Sequence, residues 1–92
     1  MRLANHVAVI TGGGRGIGRA IALAFAGEGA HLLLASDVEA EVQAVAAEVR
    51  GLGQKALAMK ANVTSSDGMA EMARRAVSEL GRLDILVTCA GI

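Results

Sequence analysis

Residues Thr11–Gly18, with the sequence TGGGRGIG, decide the fold that this chain predicts. They end the β-branched apolar run HVAVIT at His6–Thr11, which is typical of a buried strand. From Gly16 onward the apolar residues follow a helical period, and this pattern ends near the glycines at 27–29. The glycines therefore stand where a strand gives way to a helix.

The same alternation continues along the chain. Three further segments are typical of strands: His31–Ala35, Lys55–Ala61 and Asp84–Thr88, of which the second is weaker because Ala and Lys are poor strand formers. Two further helical stripes, at 38–52 and 69–80, separate these strands. An alternating pattern with short connections implies a parallel sheet with right-handed crossovers and helices on both faces. The sequence therefore predicts a single α/β domain, and Thr64–Asp67 predicts a capping box that begins its third helix.

Composition excludes several classes of function. The chain has 92 residues, 53% of them apolar, which is too many for a disordered tail. Nine basic and nine acidic side chains give a net charge of zero, so we expect no nucleic-acid partner. The single cysteine excludes an intramolecular disulfide and a cysteine-rich metal site. No apolar run approaches the roughly 18 residues of a membrane span, and none resembles a signal peptide. We therefore expect a cytoplasmic protein with no membrane partner.

The glycine loop has the chemistry of a pyrophosphate site. A pyrophosphate needs backbone N–H groups at a helix N-terminus and no Cβ atom in its way. Gly12 allows the tight turn, Gly16 allows the ligand to approach, and Gly18 lets the helix pack on the strand. The spacing differs from the common G-x-G-x-x-G, and no Lys-Ser/Thr pair follows as in a P-loop. The alternative is that these glycines only make a strand-to-helix turn.

An acidic residue stands where an adenosine ribose site needs one. Asp37 lies 19 positions beyond Gly18, at the end of the second predicted strand. A carboxylate at this place hydrogen-bonds the ribose hydroxyls in dinucleotide-binding folds. The alternative interpretation of Asp37 is a solvated N-cap of the next helix.

Taken together, these motifs resemble the N-terminal half of a short-chain dehydrogenase/reductase, similar to the 3-oxoacyl-carrier-protein reductase type. The resemblance covers the whole chain and depends on three motifs. Thr11, Gly12, Gly16 and Gly18 match the Thr-Gly-x-x-x-Gly-x-Gly pattern, and Asn62-Val63-Thr64 matches the segment after the third strand. Leu83–Val87 with Ala90-Gly91 matches the fourth strand and its end. It implies a Rossmann-type doubly wound sheet, incomplete at four strands in the order 3-2-1-4 with three helices, and residues 1–92 as its NAD(P)-binding half-domain.

The resemblance also implies which residues would hold each part of a dinucleotide. Gly12, Gly16, Ile17 and Gly18 would hold the pyrophosphate; Arg15, Ser36 and Asp37 the adenosine ribose; Asn62 and Val63 the adenine; Cys89, Ala90 and Gly91 the nicotinamide-side ribose. Thr88-Cys89 replaces the asparagine pair of the family. We interpret Cys89 as a small buried apolar residue rather than a reactive thiol, and His6 and His31 as structural.

Cofactor choice depends on two opposing features. Ser36 occupies the usual acidic position and Asp37 the next one, and a carboxylate here favours NAD because it repels a 2′-phosphate. Arg15 is placed as in members that prefer NADP, where a guanidinium pairs with that phosphate. The balance of the two favours NAD.

Activity of this chain alone is not expected. In the family, hydride passes between NAD(P) and a carbonyl or alcohol, and the catalytic Ser and Tyr-x-x-x-Lys come from the half that would follow Ile92. The chain contains no tyrosine, so it cannot supply the general acid/base. The alternatives are a stand-alone dinucleotide-binding module and a truncated product without function. The fourth strand would be an uncovered edge, so we also expect self-association.

Overall fold

A computed structural model describes residues 2–12, 16–62 and 65–89. Within these ranges strands and helices alternate along the chain. The elements are β1 (Val7–Thr11), α1 (Gly16–Gly27), β2 (His31–Ser36), α2 (Glu39–Gly51), β3 (Ala56–Lys60), α3 (Ser66–Leu80) and β4 (Ile85–Thr88). The longest of these helices has 15 residues, and none in the described part of the chain qualifies as a membrane span.

The strands form one parallel sheet in the order β3-β2-β1-β4. This topology confirms the predicted Rossmann-type arrangement. β1 lies inside the sheet, with Val9 beside Leu33 of β2 on one side and Leu86 of β4 on the other. All five residues of β1 are buried, as its run of apolar residues predicts.

Alternate residues of the strands face two separate apolar layers. Ile10, Leu32 and Leu34 pack with α1 and α2, whose small side chains, such as Ala22 and Ala46, let the helices lie close to the sheet. On the other face α3 is the packing helix, and its Met72 and Ala76 cover Val7, Val9, Leu33 and Ala35. Burial of each large aliphatic side chain contributes about 1.5–3 kcal/mol. The sheet is thus covered by two helices on one face and one on the other.

The start of α3 corrects one prediction. The N-cap is Ser65, whose hydroxyl accepts a hydrogen bond of 2.9 Å from the backbone N–H of Gly68. The predicted capping box at Thr64–Asp67 is therefore wrong, because the helix begins one residue later and its third residue, Gly68, has no side chain to reach back. Thr64 itself lies outside the described residues. The helix ends at Gly81, which is left-handed with φ 93°.

The predicted strands start slightly early. β1, β3 and β4 each begin one residue later than their apolar or alternating runs indicate. Just before β3 the backbone N–H of Lys55 donates to Nδ1 of the His31 side chain instead of to a backbone carbonyl of β2. At the start of β4 the carboxylate of Asp84 accepts from the backbone of Val7. In both places a side chain takes part in the contact between the strands.

Candidate functional site

The carboxyl ends of the strands meet at one edge of the sheet. Three backbone hydrogen bonds join the chain at these ends: from Gly12 N–H to the carbonyl of Ala35 (2.7 Å), from Ala61 N–H to that of Ser36 (3.1 Å) and from Cys89 N–H to that of Thr11 (2.9 Å). The described residues among those predicted to bind a dinucleotide therefore lie at the same edge. In open α/β sheets this edge is where ligands bind.

The glycine turn has the backbone that its sequence predicts. Gly12 and Gly16 have φ values of 71° and 54°, a region that residues with a Cβ atom rarely adopt. A Cβ atom built on Gly16 would meet no atom of the described residues within 4 Å, so the space beside it is open to them. Gly18 is buried within α1, whereas Ile17 is exposed. Arg15 lies outside the described residues.

The N-terminus of α1 suits an anion. Its first turn contains no acidic residue, so the partial positive charge of the helix end is not offset there. Arg19 points elsewhere, since its guanidinium pairs with the carboxylate of Glu48 at 2.6 Å. What remains is a helix end with an open glycine approach, which fits a pyrophosphate.

A buried hydroxyl stands directly before this turn. The side chain of Thr11 is almost fully buried, and its Oγ1 has no hydrogen-bond partner in the described part of the chain. A buried polar atom without a partner costs about 1–3 kcal/mol. Thr11 therefore places a buried hydroxyl directly before the glycine turn.

Ser36 and Asp37 form a small polar turn at the end of β2. The hydroxyl of Ser36 accepts from the backbone N–H of Val38 at 3.1 Å and donates to the carboxylate of Asp37 at 3.4 Å. Asp37 is exposed, and the N-cap of α2 is Val38 without a side-chain cap. The interpretation of Asp37 as an N-cap is therefore wrong. Asp37 is instead exposed to solvent at the same edge of the sheet as the glycine turn.

Asn62 follows β3 at the same edge and is exposed. Its backbone carbonyl accepts hydrogen bonds from both the N–H and the hydroxyl of Ser65, at 3.3 and 3.2 Å. The adjacent bond between Ala61 and Ser36 holds this segment next to the end of β2. Val63, the other residue predicted at the adenine, lies outside the described residues.

The residues predicted to contact the nicotinamide-side ribose are described only in part. Cys89 is buried in the layer that contains α1 and α2, and its thiol is free, in agreement with a small apolar role. Thr88 before it is exposed. Ala90 and Gly91 lie outside the described residues.

The two histidines lie away from this edge. Nδ1 of His31 accepts the backbone bond from Lys55 at the start of β2, and Nδ1 of His6 lies 3.3 Å from the carbonyl of Ala4. Both positions are at the amino ends of the strands, opposite the glycine turn, which agrees with structural roles.

Two features were not predicted from the sequence. Asp84 joins β4 to β1, since its carboxylate accepts from the N–H of Val7 at 2.9 Å and from the guanidinium of Arg82 at 2.7 Å. The hydrogen bonds from Arg82, and then that from Val7, lower the pKa of Asp84. Gly68 packs against the backbone of Asn62. The sequence shows only an acid before a strand and a glycine in the first turn of a helix, and neither pattern is specific enough to predict these contacts.

A parallel sheet with a glycine turn between its first strand and first helix is typical of α/β proteins that bind dinucleotides. The sequence profile of the family described as short chain dehydrogenase matches residues 6–92. The chain therefore belongs to the short-chain dehydrogenase family, whose members are oxidoreductases that use NAD or NADP.

Individual relatives agree with this assignment. The chain is 48% identical over 90 residues to an uncharacterized oxidoreductase of Mycobacterium tuberculosis, covering 98% of this chain and 34% of the relative. It is 39% identical over 89 residues to a 3-oxoacyl-[acyl-carrier-protein] reductase of Staphylococcus epidermidis, covering 96% and 36%. The crystal structure of a hydroxysteroid dehydrogenase from Escherichia coli matches with a TM-score of 0.88 and 38% identity, covering 95% of this chain and 37% of that one. The chain thus spans about a third of the length of these relatives.

Proposed function

We propose that residues 1–92 are the NAD(P)-binding half-domain of an oxidoreductase that transfers hydride between NAD(P) and a carbonyl or alcohol substrate. The observation that carries the proposal is the positive φ of Gly12 and Gly16, with open space beside Gly16 at the N-terminus of α1. A bound nicotinamide would supply the hydride chemistry. The Ser, Tyr and Lys that catalyse transfer in the family would come from the part of the relatives that this chain does not span. A cytoplasmic location stays a prediction.

The proposed contacts follow the order of the strands. Gly12, Gly16, Ile17 and Gly18 would bind the pyrophosphate through backbone N–H groups and the helix dipole. Further along the same edge, Ser36 and Asp37, with Arg15, would contact the adenosine ribose, and Asn62 and Val63 the adenine. Cys89, Ala90 and Gly91 would line the nicotinamide-side ribose.

We propose NAD as the preferred cofactor. The carboxylate of Asp37 is exposed at the end of β2, where it would bind ribose hydroxyls and repel a 2′-phosphate. The hydroxyl of Ser36 donates its proton to the carboxylate of Asp37, so it offers a 2′-phosphate little. Arg15 would act in the opposite direction, through a charged hydrogen bond to that phosphate.

Calorimetric titration of the 92-residue chain with NAD, NADP and ADP-ribose tests this proposal. We expect saturable binding of all three, with NAD tighter than NADP. Asp37→Asn should reduce that preference, and Arg15→Gln should increase it. Absence of saturable binding by the folded chain would overturn the dinucleotide site, whereas tighter binding of NADP would overturn only the cofactor preference.

A second candidate is a binding module without chemistry of its own. The observation that favours it is the absence of any tyrosine from the 92 residues. It predicts that the chain binds NADH but oxidises none of it with a panel of aldehydes and ketones. Turnover by the pure chain would contradict this candidate. Turnover that appears only after the remaining part of a family member is added would support the half-domain instead.

We also propose that the chain associates with a second copy through the face that carries β4. This strand pairs only with β1 in the described sheet, so one of its edges is unpaired. Leu86 of β4 is 51% exposed and lines an apolar groove together with Val9, Met69, Met72, Ala73 and Leu83. A net charge of zero leaves little repulsion between copies.

A further inference from the structure

Gly68 allows an unusually close approach between α3 and the end of β3. A Cβ atom built at this position would lie 2.2 Å from the carbonyl oxygen of Asn62 and 3.2 Å from its carbonyl carbon. Cβ atoms do not approach other heavy atoms to less than 3.0 Å. Because the obstacle is backbone, it cannot rotate away as a flexible side chain would. The first turn of α3 rests on Asn62 only because residue 68 has no side chain.

A set of hydrogen bonds centred on Ser65 holds this contact in place. The N–H of Gly68 donates to the hydroxyl oxygen of Ser65 at 2.9 Å, and that hydroxyl donates to the carbonyl of Asn62 at 3.2 Å. The backbone N–H of Ser65 donates to the same carbonyl at 3.3 Å. The position of the Asn62 backbone is thus set by the first turn of α3.

We infer that Gly68 is a positioning residue for recognition of the adenine base by Asn62; this inference rests on the proposed function. An asparagine amide offers a carbonyl and an NH₂ group, which match the 6-amino group and a ring nitrogen of adenine. Two bonds to one planar base require a defined backbone position. Gly68 contacts no ligand itself; it acts by letting α3 hold Asn62 beside Ser36, where the ribose would lie.

The test compares the affinities of the 92-residue chain for NAD and for nicotinamide hypoxanthine dinucleotide. The analogue carries an oxygen in place of the 6-amino group and a proton on N1, so it loses the bond from the amino group but keeps N7, both riboses, the pyrophosphate and the nicotinamide. For the wild type we expect NAD to bind roughly tenfold more tightly, as a matched asparagine–adenine pair allows. In Gly68→Ala we expect this ratio to fall toward one, because the methyl group displaces the carbonyl of Asn62.

Two variants calibrate the ratio. Asn62→Ala removes the amide, so it should bring the ratio of the affinities for NAD and for the analogue to about one. Gly51→Ala, at a helical glycine where a Cβ atom would meet nothing within 4 Å, should leave it unchanged. A purely structural role of Gly68 would weaken both ligands by the same factor and keep the ratio, and that result would overturn the inference. Failure of the folded wild type to bind either ligand would overturn the proposed function, and the positioning role with it.

Hydrogen exchange in the wild type decides the matter if Gly68→Ala does not fold. The amide of Gly68 bonds to Ser65, so tightening of Asn62 by adenine should slow its exchange. We expect more protection at saturation with AMP than with IMP, which lacks the amino group. Equal protection by the two nucleotides would overturn the inference.

Discussion

Gly12 and Gly16 both have a positive φ, which residues with a side chain rarely adopt, but the two glycines lie in different surroundings. Gly12 turns the backbone at the end of β1 while its N–H bonds to Ala35 across the sheet. Gly16 has φ 54° and open space beside it, so a substitution meets backbone strain but no clash with the residues that the structure describes. The methyl group would instead occupy the space left for a ligand.

We therefore expect Gly16→Ala to affect binding more than stability. Left-handed backbone should cost an alanine about 1–2 kcal/mol of the free energy of unfolding, whereas affinity for NAD should fall at least tenfold. Urea unfolding and calorimetry of the same sample separate the two effects. Gly27→Ala is the matched control, since its Cβ atom also meets nothing within 4 Å and its φ is ordinary. A variant of Gly16 that binds like the control would contradict the pyrophosphate assignment.

Asp84 should make stability depend on pH in the acid range. Hydrogen bonds from Arg82, and then from the N–H of Val7, lower its pKa in the folded chain below the ordinary 3.8, and His6 adds a smaller favourable charge. Protons therefore bind the unfolded state more readily, and the carboxylate stabilises the fold above the ordinary pKa. This contribution is lost as the pH falls below about 4 toward the folded pKa.

Urea midpoints between pH 2 and pH 7 check this dependence. Asp84→Asn should flatten the acid limb of the curve, and Arg82→Met should shift the loss of stability to higher pH because the largest cause of the lowered pKa is removed. An acid limb that is the same in all three proteins would show that Asp84 does not link β4 to β1 in solution.

At the scale of elements, α3 is set by its two ends. Ser65 caps the first turn and left-handed Gly81 closes the last, with its N–H bonded to the carbonyl of Val77 at 3.0 Å. Between them only one stripe of the helix is apolar enough to pack on the sheet. The caps therefore decide which residues begin the helix and so where the segment after β3 is held.

Ser65→Ala should lower the free energy of unfolding by about 1 kcal/mol, the usual cost of a lost N-cap. Ser65→Thr keeps a hydroxyl for the N–H of Gly68 and should retain most of that stability. Urea unfolding monitored by circular dichroism measures both. If the alanine variant is as stable as the threonine variant, the bond between Ser65 and Gly68 contributes nothing to the helix.

Residue patterns predicted much of the fold but little of its close packing. The glycine turn, the buried run of β1 and the helical stripes were sufficient to predict the order of elements and the parallel sheet. The strand order and the assignment of residues to parts of a ligand came from the resemblance to a family. The cap at Ser65 and the contact of Gly68 with Asn62 depend on how closely two backbones approach, which no spacing of residue types encodes. The contact of Asp84 with β1 could not be predicted from the sequence, because Val7 lies 77 residues away and contributes only its backbone.

At the scale of the whole molecule, the two faces of the sheet differ in how well they are covered. In the described part of the chain, two helices cover one face, while α3 is the only helix on the other and leaves the groove beside Leu86 open. An unpaired strand edge next to an apolar groove favours pairing with another chain.

If the chain associates through β4 as proposed, Leu86→Lys should shift it toward the monomer, because a lysine on an edge strand opposes pairing. Sedimentation velocity over a range of protein concentrations measures the shift. Leu52→Lys is the control, since Leu52 is 53% exposed against 51% for Leu86. Leu52 is the C-cap of α2, a helix that packs on β2 and β3 and not on β4. A monomeric wild type, or equal dissociation of both variants, would contradict association through β4.

The interior position of β1 also has a consequence for biosynthesis. Its partner β2 follows after a short helix, but its other partner is β4, and the contact of Asp84 with Val7 spans 77 residues. A ribosome that adds about 5–20 residues per second needs roughly three to ten seconds to proceed from β2 to β4. During that time one edge of the most buried strand has no partner, so a chaperone that protects this edge during translation should raise the yield of folded chain.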